Sequence, residues 1–171
     1  IDQLYLNSAT KGSAQSKIVL HLEAGEYIVD DTIYIPPYAT IVGAGSGKTI
    51  IRTSTASTTI FKTVNSNSTP GAPATDASTT SVNQATDIRL EGVTLETTVP
   101  NKGLILENCK DSVFRDVEVT GPWVSGNAVA LTDVGIEMNS LSGTVETKNN
   151  IFENCKVSGY SYGISSDWDI H

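Results

Sequence analysis

Between residues 25 and 51 the chain reads GEYIVDDTIYIPPYATIVGAGSGKTII, short β-branched or aromatic runs cut apart by turn residues. Tyr27-Ile28-Val29, Thr32 to Ile35, Thr40-Ile41-Val42 and Thr49-Ile50-Ile51 are the runs. Asp30-Asp31, Pro36-Pro37 and the glycines from Gly43 to Gly47 punctuate them. Segments this short do not make an ordinary antiparallel meander. They suit a chain wound round a narrow prism, one short strand to a face and a corner between faces. Upstream, Ile18, Leu20 and Leu22 alternate with Val19 and His21, the pattern of one more half-buried strand.

From residue 87 the pattern becomes a repeat. DIRLEGVTLET at 87–97, DSVFRDVEVTG at 111–121 and NNIFENCKVSG at 149–159 align without gaps. The alignment puts Leu90, Phe114 and Phe152 in one column, Val93, Val117 and Cys155 in a second, and Leu95, Val119 and Val157 in a third. A second series interleaves with it: GLILENC at 103–109, GIEMNSL at 135–141 and GISSDWD at 163–169. The spacing predicts a circuit of about 22 residues, with successive circuits about 4.8 Å apart and equivalent side chains stacked in rows. The fold expected is all-β, a parallel β-helix in one domain over residues 1–171. Asn108 and Asn154 fall where corners require a left-handed backbone, which asparagine tolerates. A β-sandwich is the rival, but no Asn-Gly or Asp-Gly hairpin signal separates the runs.

Other stretches depart from the pattern. Residues 1–17 read as a lead-in or cap. Residues 65–86 carry a single charge, Asp76, and almost nothing apolar, so a mobile excursion from one corner is expected there, or a loop that lines a groove or packs on a neighbouring subunit. Residues 122–132 form a second loop insertion, and a shorter one lies within 142–148. The chain opens on Ile1 and stops at His171 in mid-pattern, and is expected to be a piece of a longer protein.

Composition narrows the partners. The formal net charge is −8 with no basic run, which disfavours nucleic acid, and no apolar run approaches the ~20 residues of a membrane span. Two cysteines, Cys109 and Cys155, are too few for a disulfide framework and lack metal-ligand spacing; both read as core thiols, and neither a metal nor another cofactor is expected. The stretch GAGSGKT at 43–49 suggests a phosphate loop. Yet Val42 stands where the first glycine belongs, and Ile50-Ile51 continues as strand instead of helix. Its glycines are expected to turn a corner.

The residues 22–27 (LEAGEY), 33–36 (IYIP), 40–45 (TIVGAG) and 48–51 (KTII), together with the NIFENC-type rungs, resemble the coils of right-handed parallel β-helix proteins of the pectin-lyase-like superfamily. The resemblance spans nearly the whole chain outside 65–86. It implies the fold and leaves the activity open, because the superfamily holds polysaccharide lyases, glycoside hydrolases, epimerases and the shafts of bacteriophage tailspikes and tail fibres. The Ser/Thr/Asn-rich surface and inserted loops look most like the phage members. On that likeness the expected role is a structural, receptor-presenting domain of a virion tail appendage, or otherwise a secreted protein. Its partners would be further copies in a homotrimer, other virion proteins and cell-surface polysaccharide.

Two alternatives stand beside this: a polysaccharide lyase or glycoside hydrolase, and a purely structural virion connector. For an enzyme, paired carboxylates would act as acid and base or nucleophile, or carboxylates would bind Ca²⁺ while a basic residue abstracts a proton. Asp167, Asp169 and Glu153 are the candidates, with Glu91, Arg115 and Glu153 expected in one outward row. That row also fits a solvated ladder of charges. The polygalacturonase-like and pectate-lyase signature sets are absent from the sequence. Trp123, Tyr160, Tyr162 and Trp168 are candidates for stacking on sugar rings, against the plainer expectation that they pack between coils.

Overall fold

A computed structural model describes residues 17–68 and 78–166. Its described residues contain no α-helix and form thirteen strands: β1 (Ile18–His21), β2 (Gly25–Ile28), β3 (Ile33–Ile35), β4 (Ala39–Val42), β5 (Thr49–Thr53), β6 (Phe61–Thr63), β7 (Arg89–Thr97), β8 (Lys102–Glu107), β9 (Val113–Thr120), β10 (Val134–Asn139), β11 (Ile151–Glu153), β12 (Lys156–Ser158) and β13 (Tyr162–Ser166). Every pairing between strands is parallel.

The pairings make three ladders. The first runs β1, β4, the front of β7, the front of β9, and β11. The second runs β2, β5, the rear of β7, the rear of β9, and β12. The third runs β3, β6, β8, β10 and β13. The chain visits the first, second and third ladders in that order, five times.

Alternation within each short strand sends one set of side chains inward, and the parallel registers stack them. Leu20, Ile41, Leu90, Phe114 and Phe152 form the inward row of the first ladder. Tyr27, Ile51, Leu95, Val119 and Val157 form that of the second, and Ile33, Phe61, Leu104, Ile136 and Ile164 that of the third. Their central members are buried, and together they are the core. The predicted columns are therefore in register, and the Phe114 and Phe152 rings stack with centroids 5.0 Å apart.

The circuit differs from the expected 22 residues. Glu91 lies opposite Arg115, a step of 24, and Arg115 opposite Glu153, a step of 38 across the two later insertions. The shorter estimate missed two residues in the turn between β7 and β8, which is longer than the corresponding turn between β12 and β13.

Between the first and second ladders the corner is a single left-handed residue: Gly92 (φ 63), Asp116 (φ 52) and Asn154 (φ 53). Asn154 Nδ2 donates to Asp116 Oδ1, one coil to the next. In the second circuit this corner widens to the glycine stretch. There Gly43 N donates to Glu91 O at 2.8 Å, Gly45 N to Gly92 O at 2.9 Å, and Gly47 N to Thr94 Oγ1 at 2.8 Å. Amides that would cradle a phosphate are committed to the neighbouring coil, and the stretch turns a corner as expected. The expected left-handed Asn108 is present too, at φ 50.

The 65–86 segment, expected as an excursion from one corner, is anchored at its described ends. Asn65, Ser68, Thr79, Gln84, Ala85 and Thr86 are all buried. Asn65 Nδ2 donates to Thr79 Oγ1 at 2.8 Å, and Gln84 Nε2 to the carbonyls of Asn108 at 3.1 Å and Glu146 at 3.0 Å. Side-chain amides do here what apolar packing does elsewhere, so a hydrophobicity pattern could not reveal it.

Candidate functional site

The topology singles out one face. The turn into the third ladder carries the 122–132 insertion, and the turn out of it carries 64–86 and 140–148. Both families of loop therefore border the outer face of the third ladder. Its outward row is Tyr34, Lys62, Ile105, Glu137 and Ser165, flanked by Lys102, Glu107 and Asn139.

This floor is polar and paired. Lys62 Nζ meets the Glu107 carboxylate and Lys102 Nζ that of Glu137, and Asn139 Nδ2 donates to Glu137 Oε1 at 2.8 Å. The two glutamate side chains are only 11% and 16% exposed, which strengthens each charge pair relative to open water. Glu107 lies opposite Asn139 in the strand register, so the two carboxylates stand on neighbouring coils of one face. Such a strip can offer hydroxyl groups both cationic donors and carboxylate acceptors. None of these four side chains was singled out from the sequence. The alignment of GLILE with GIEMN places Glu107 and Glu137 in neighbouring strands, but only the register and the insertions set them with Lys62 and Lys102 on one enclosed face.

Of the residues that were singled out, Glu153 lies on the first ladder, away from this face. Arg115 donates to it through Nε at 2.7 Å and to Glu91 Oε1 through Nη1 at 3.2 Å. The expected row of Glu91, Arg115 and Glu153 therefore exists, as an exposed ladder of ion pairs. The hydrogen bond that Arg115 donates to Glu153, with that carboxylate's charge, raises the Arg115 pKa. Glu153 is thus engaged in an exposed ion pair on a ladder other than the loop-bordered one.

Tyr160 is a correction. It is 6% exposed, and its ring occupies the space that side chains at Gly103, Gly121 and Gly135 would fill. Its hydroxyl accepts from Thr97 Oγ1 at 3.0 Å and donates to Thr120 O at 3.1 Å. Burial pushes its pKa up to about 12, against the opposing hydrogen bond from Thr97. Three facing glycines make a slot for one large ring, so Tyr160 is core and cannot stack on a sugar. Tyr162, 38% exposed, opens the last strand of the third ladder. Trp123 is half-buried at the base of its loop, its backbone N donating to Gly159 O at 2.8 Å. Asp167, Trp168, Asp169 and His171 lie outside the described residues.

At the other end of the same insertion, Asp133 is a 1% exposed carboxylate that the sequence reading passed over. Its Oδ2 accepts from Ser161 N and Ser161 Oγ, both at 2.9 Å. Among the described residues no group of three or more His, Cys, Asp or Glu side chains is arranged to hold a metal ion. Cys109 is buried, and burial pushes its thiol up to about 12, which leaves it protonated and unreactive at neutral pH.

Stacked parallel ladders of short strands, with side chains in rows and insertions confined to corners, are the marks of the pectate lyase-like fold. The family described as rhamnogalacturonase A/epimerase, pectate lyase-like, matches residues 2–170, and the chain belongs to it. No curated protein matches the chain. Among solved structures it is similar to ORF18 of Geobacillus virus E2, with a TM-score of 0.53 and 16% identity over 94% of this chain and 34% of that one. At that identity the likeness is one of fold, and the chain spans about a third of the length of that viral protein.

Proposed function

We propose that this chain is a β-helix module of a bacteriophage virion appendage, of the tailspike or tail-fibre kind, whose loop-bordered face recognises cell-surface polysaccharide. The observation that carries this reading is the third ladder: a rigid strip of paired charges, walled on both sides by the insertions. Three ladders visited in constant order support a closed, right-handed solenoid, and a solenoid is stiff along its axis, as a shaft must be. The fold likeness to a viral protein supports the virion setting, and assembly as a homotrimer belongs to the same reading.

The test is a panel of bacterial surface polysaccharides, with rhamnogalacturonan and polygalacturonate, titrated into the full chain and assayed for new reducing ends and unsaturated uronate. Binding without cleavage is expected. Lys62→Ala or Lys102→Ala should weaken it about tenfold, the loss of one charge-assisted hydrogen bond. Silence across the panel would reject polysaccharide recognition and leave a structural connector.

A second reading, a polysaccharide lyase or glycoside hydrolase, is favoured by the family and by the carboxylates of Glu107 and Glu137 on one face. It requires cleavage in the same assay. It also requires a loss of at least about 100-fold in Glu107→Gln or Glu137→Gln, the usual scale of acid–base catalysis. Asp167→Asn and Asp169→Asn test the remaining carboxylate candidates in the same way.

A further inference from the structure

The outer face of the third ladder carries four charges, and they cancel. Each lysine reaches a glutamate on the next coil, Lys62 in β6 to Glu107 in β8 and Lys102 in β8 to Glu137 in β10. The other side chains placed on this face, Tyr34, Ile105, Asn139 and Ser165, are uncharged. The borders add little to that balance. Residues 121–132 hold no charged side chain, and neither do residues 78–86. On the 140–148 turn Lys148 Nζ is bonded to Glu146 Oε2 at 2.7 Å. Lys110, whose Nζ donates to Ser81 O at 3.1 Å, is followed in the chain by Asp111. The strip is thus neutral within a chain of net charge −8.

What such a strip can bind follows from its hydrogen bonding. A lysine ammonium has three donors and gives one to its glutamate, whose carboxylate has about four acceptor positions. A sugar hydroxyl both donates and accepts, so it can join a pair without displacing either member. An ionised carboxylate, sulfate or phosphate group only accepts. To reach a lysine it has to lie beside a glutamate side chain 11% or 16% exposed, where water screens the repulsion poorly. At longer range the acidic chain repels it as well.

We propose, on the reading of this face as a polysaccharide-recognition surface, that the glycan it selects is uncharged and that uronate-, sulfate- or phosphate-bearing polymers are turned away. Glu107 and Glu137 are then specificity residues. Each neutralises a lysine that would otherwise attract an anionic polymer.

Calorimetric titration of the full chain with two sets of polymers tests this. One set is neutral, bacterial O-polysaccharides and dextran; the other is acidic, polygalacturonate and uronate-bearing capsular polysaccharides. The parent should bind within the neutral set, with an affinity that changes less than about twofold between about 0.05 and 0.5 M NaCl, because no net charge is being screened. Glu107→Gln/Glu137→Gln keeps the side-chain shapes and releases both lysines. It should bind polygalacturonate at least about tenfold more tightly than the parent, the worth of one charge-assisted hydrogen bond, and salt should abolish the gain. Melting curves check that the variant is folded, and Glu137→Gln alone, at the more exposed of the two positions, gives the same test with less disturbance. A parent that binds acidic polymers as well as neutral ones, or better, would overturn the charge selection and leave polysaccharide recognition standing. A folded variant that gains nothing for polygalacturonate would remove the glutamates as the cause and overturn the proposal. No binding to either set would overturn it together with polysaccharide recognition.

Discussion

Two kinds of corner sit on the same chain. The corner from first to second ladder is one left-handed residue in three of the five circuits, Gly92, Asp116 and Asn154. The corners on either side of the third ladder take 122–132, 64–86 and 140–148. A one-residue corner has little slack: its φ is positive, strand resumes within two residues, and the Asn154 side chain bonds to Asp116 on the neighbouring strand turn. An insertion there would break two ladders at once. At the other corners the strands have already ended, so added residues cost little beyond loop-closure entropy, which grows slowly with length. Inserted length is therefore accommodated at the two borders of one face.

That contrast can be broken or sharpened by substitution. If stacked rows rather than corners carry most of the stability, Phe114→Ala should do the most damage. Phe114 is wholly buried and stacked on Phe152, and the change should cost about 3–5 kcal/mol in chemical denaturation. A loss under about 1 kcal/mol would mean the rows are loosely packed.

Next is Tyr160→Phe, which leaves the glycine slot filled but strands Thr97 and the Thr120 carbonyl, at about 1–2 kcal/mol. The same residue gives a pH signature. Folding raises the Tyr160 hydroxyl from 10.0 to about 12 and the Cys109 thiol from 9.0 to about 12. The folded state keeps protons that the unfolded chain releases. Their contribution is therefore complete below pH 9.0 and is lost as the pH climbs toward 12. The melting midpoint should fall across that window in the parent, less steeply in Tyr160→Phe, and less again in Tyr160→Phe/Cys109→Ala. Three parallel curves would remove these groups as the cause.

Asn154 tests the corner itself. Asn154→Ala puts a Cβ with no local hydrogen bond at φ 53 and should cost about 1 kcal/mol, whereas Asn154→Gly should cost only a few tenths. Equal losses would show that the bond to Asp116, and not the backbone angle, matters at this corner. The smallest effect belongs to the outer flank. Glu153→Gln removes one rung of an exposed charge ladder and should leave the melting midpoint unmoved at physiological salt.

The inward rows were legible in the sequence, because a column of side chains stacked by parallel ladders is a column in the aligned repeats. Leu90, Phe114 and Phe152 had only to be aligned to be stacked. The asparagine corners were legible for the same local reason. Tyr160 was left between two readings, sugar stacking and packing between coils, and only three glycines from two other circuits decide for core. Glu107 and Glu137 look like ordinary strand polarity until the register sets them on one loop-walled face.

Sequence by itself thus determined the inward columns and the corners at Asn108 and Asn154, which repeat locally along the chain, while the circuit it implied fell short of the observed step of 24. Tertiary structure alone decided which ladder the insertions enclose, which tyrosine is buried, and which carboxylates share a surface. Those outcomes depend on contacts between circuits whose spacing the insertions make irregular. Local periodicity carries no record of them.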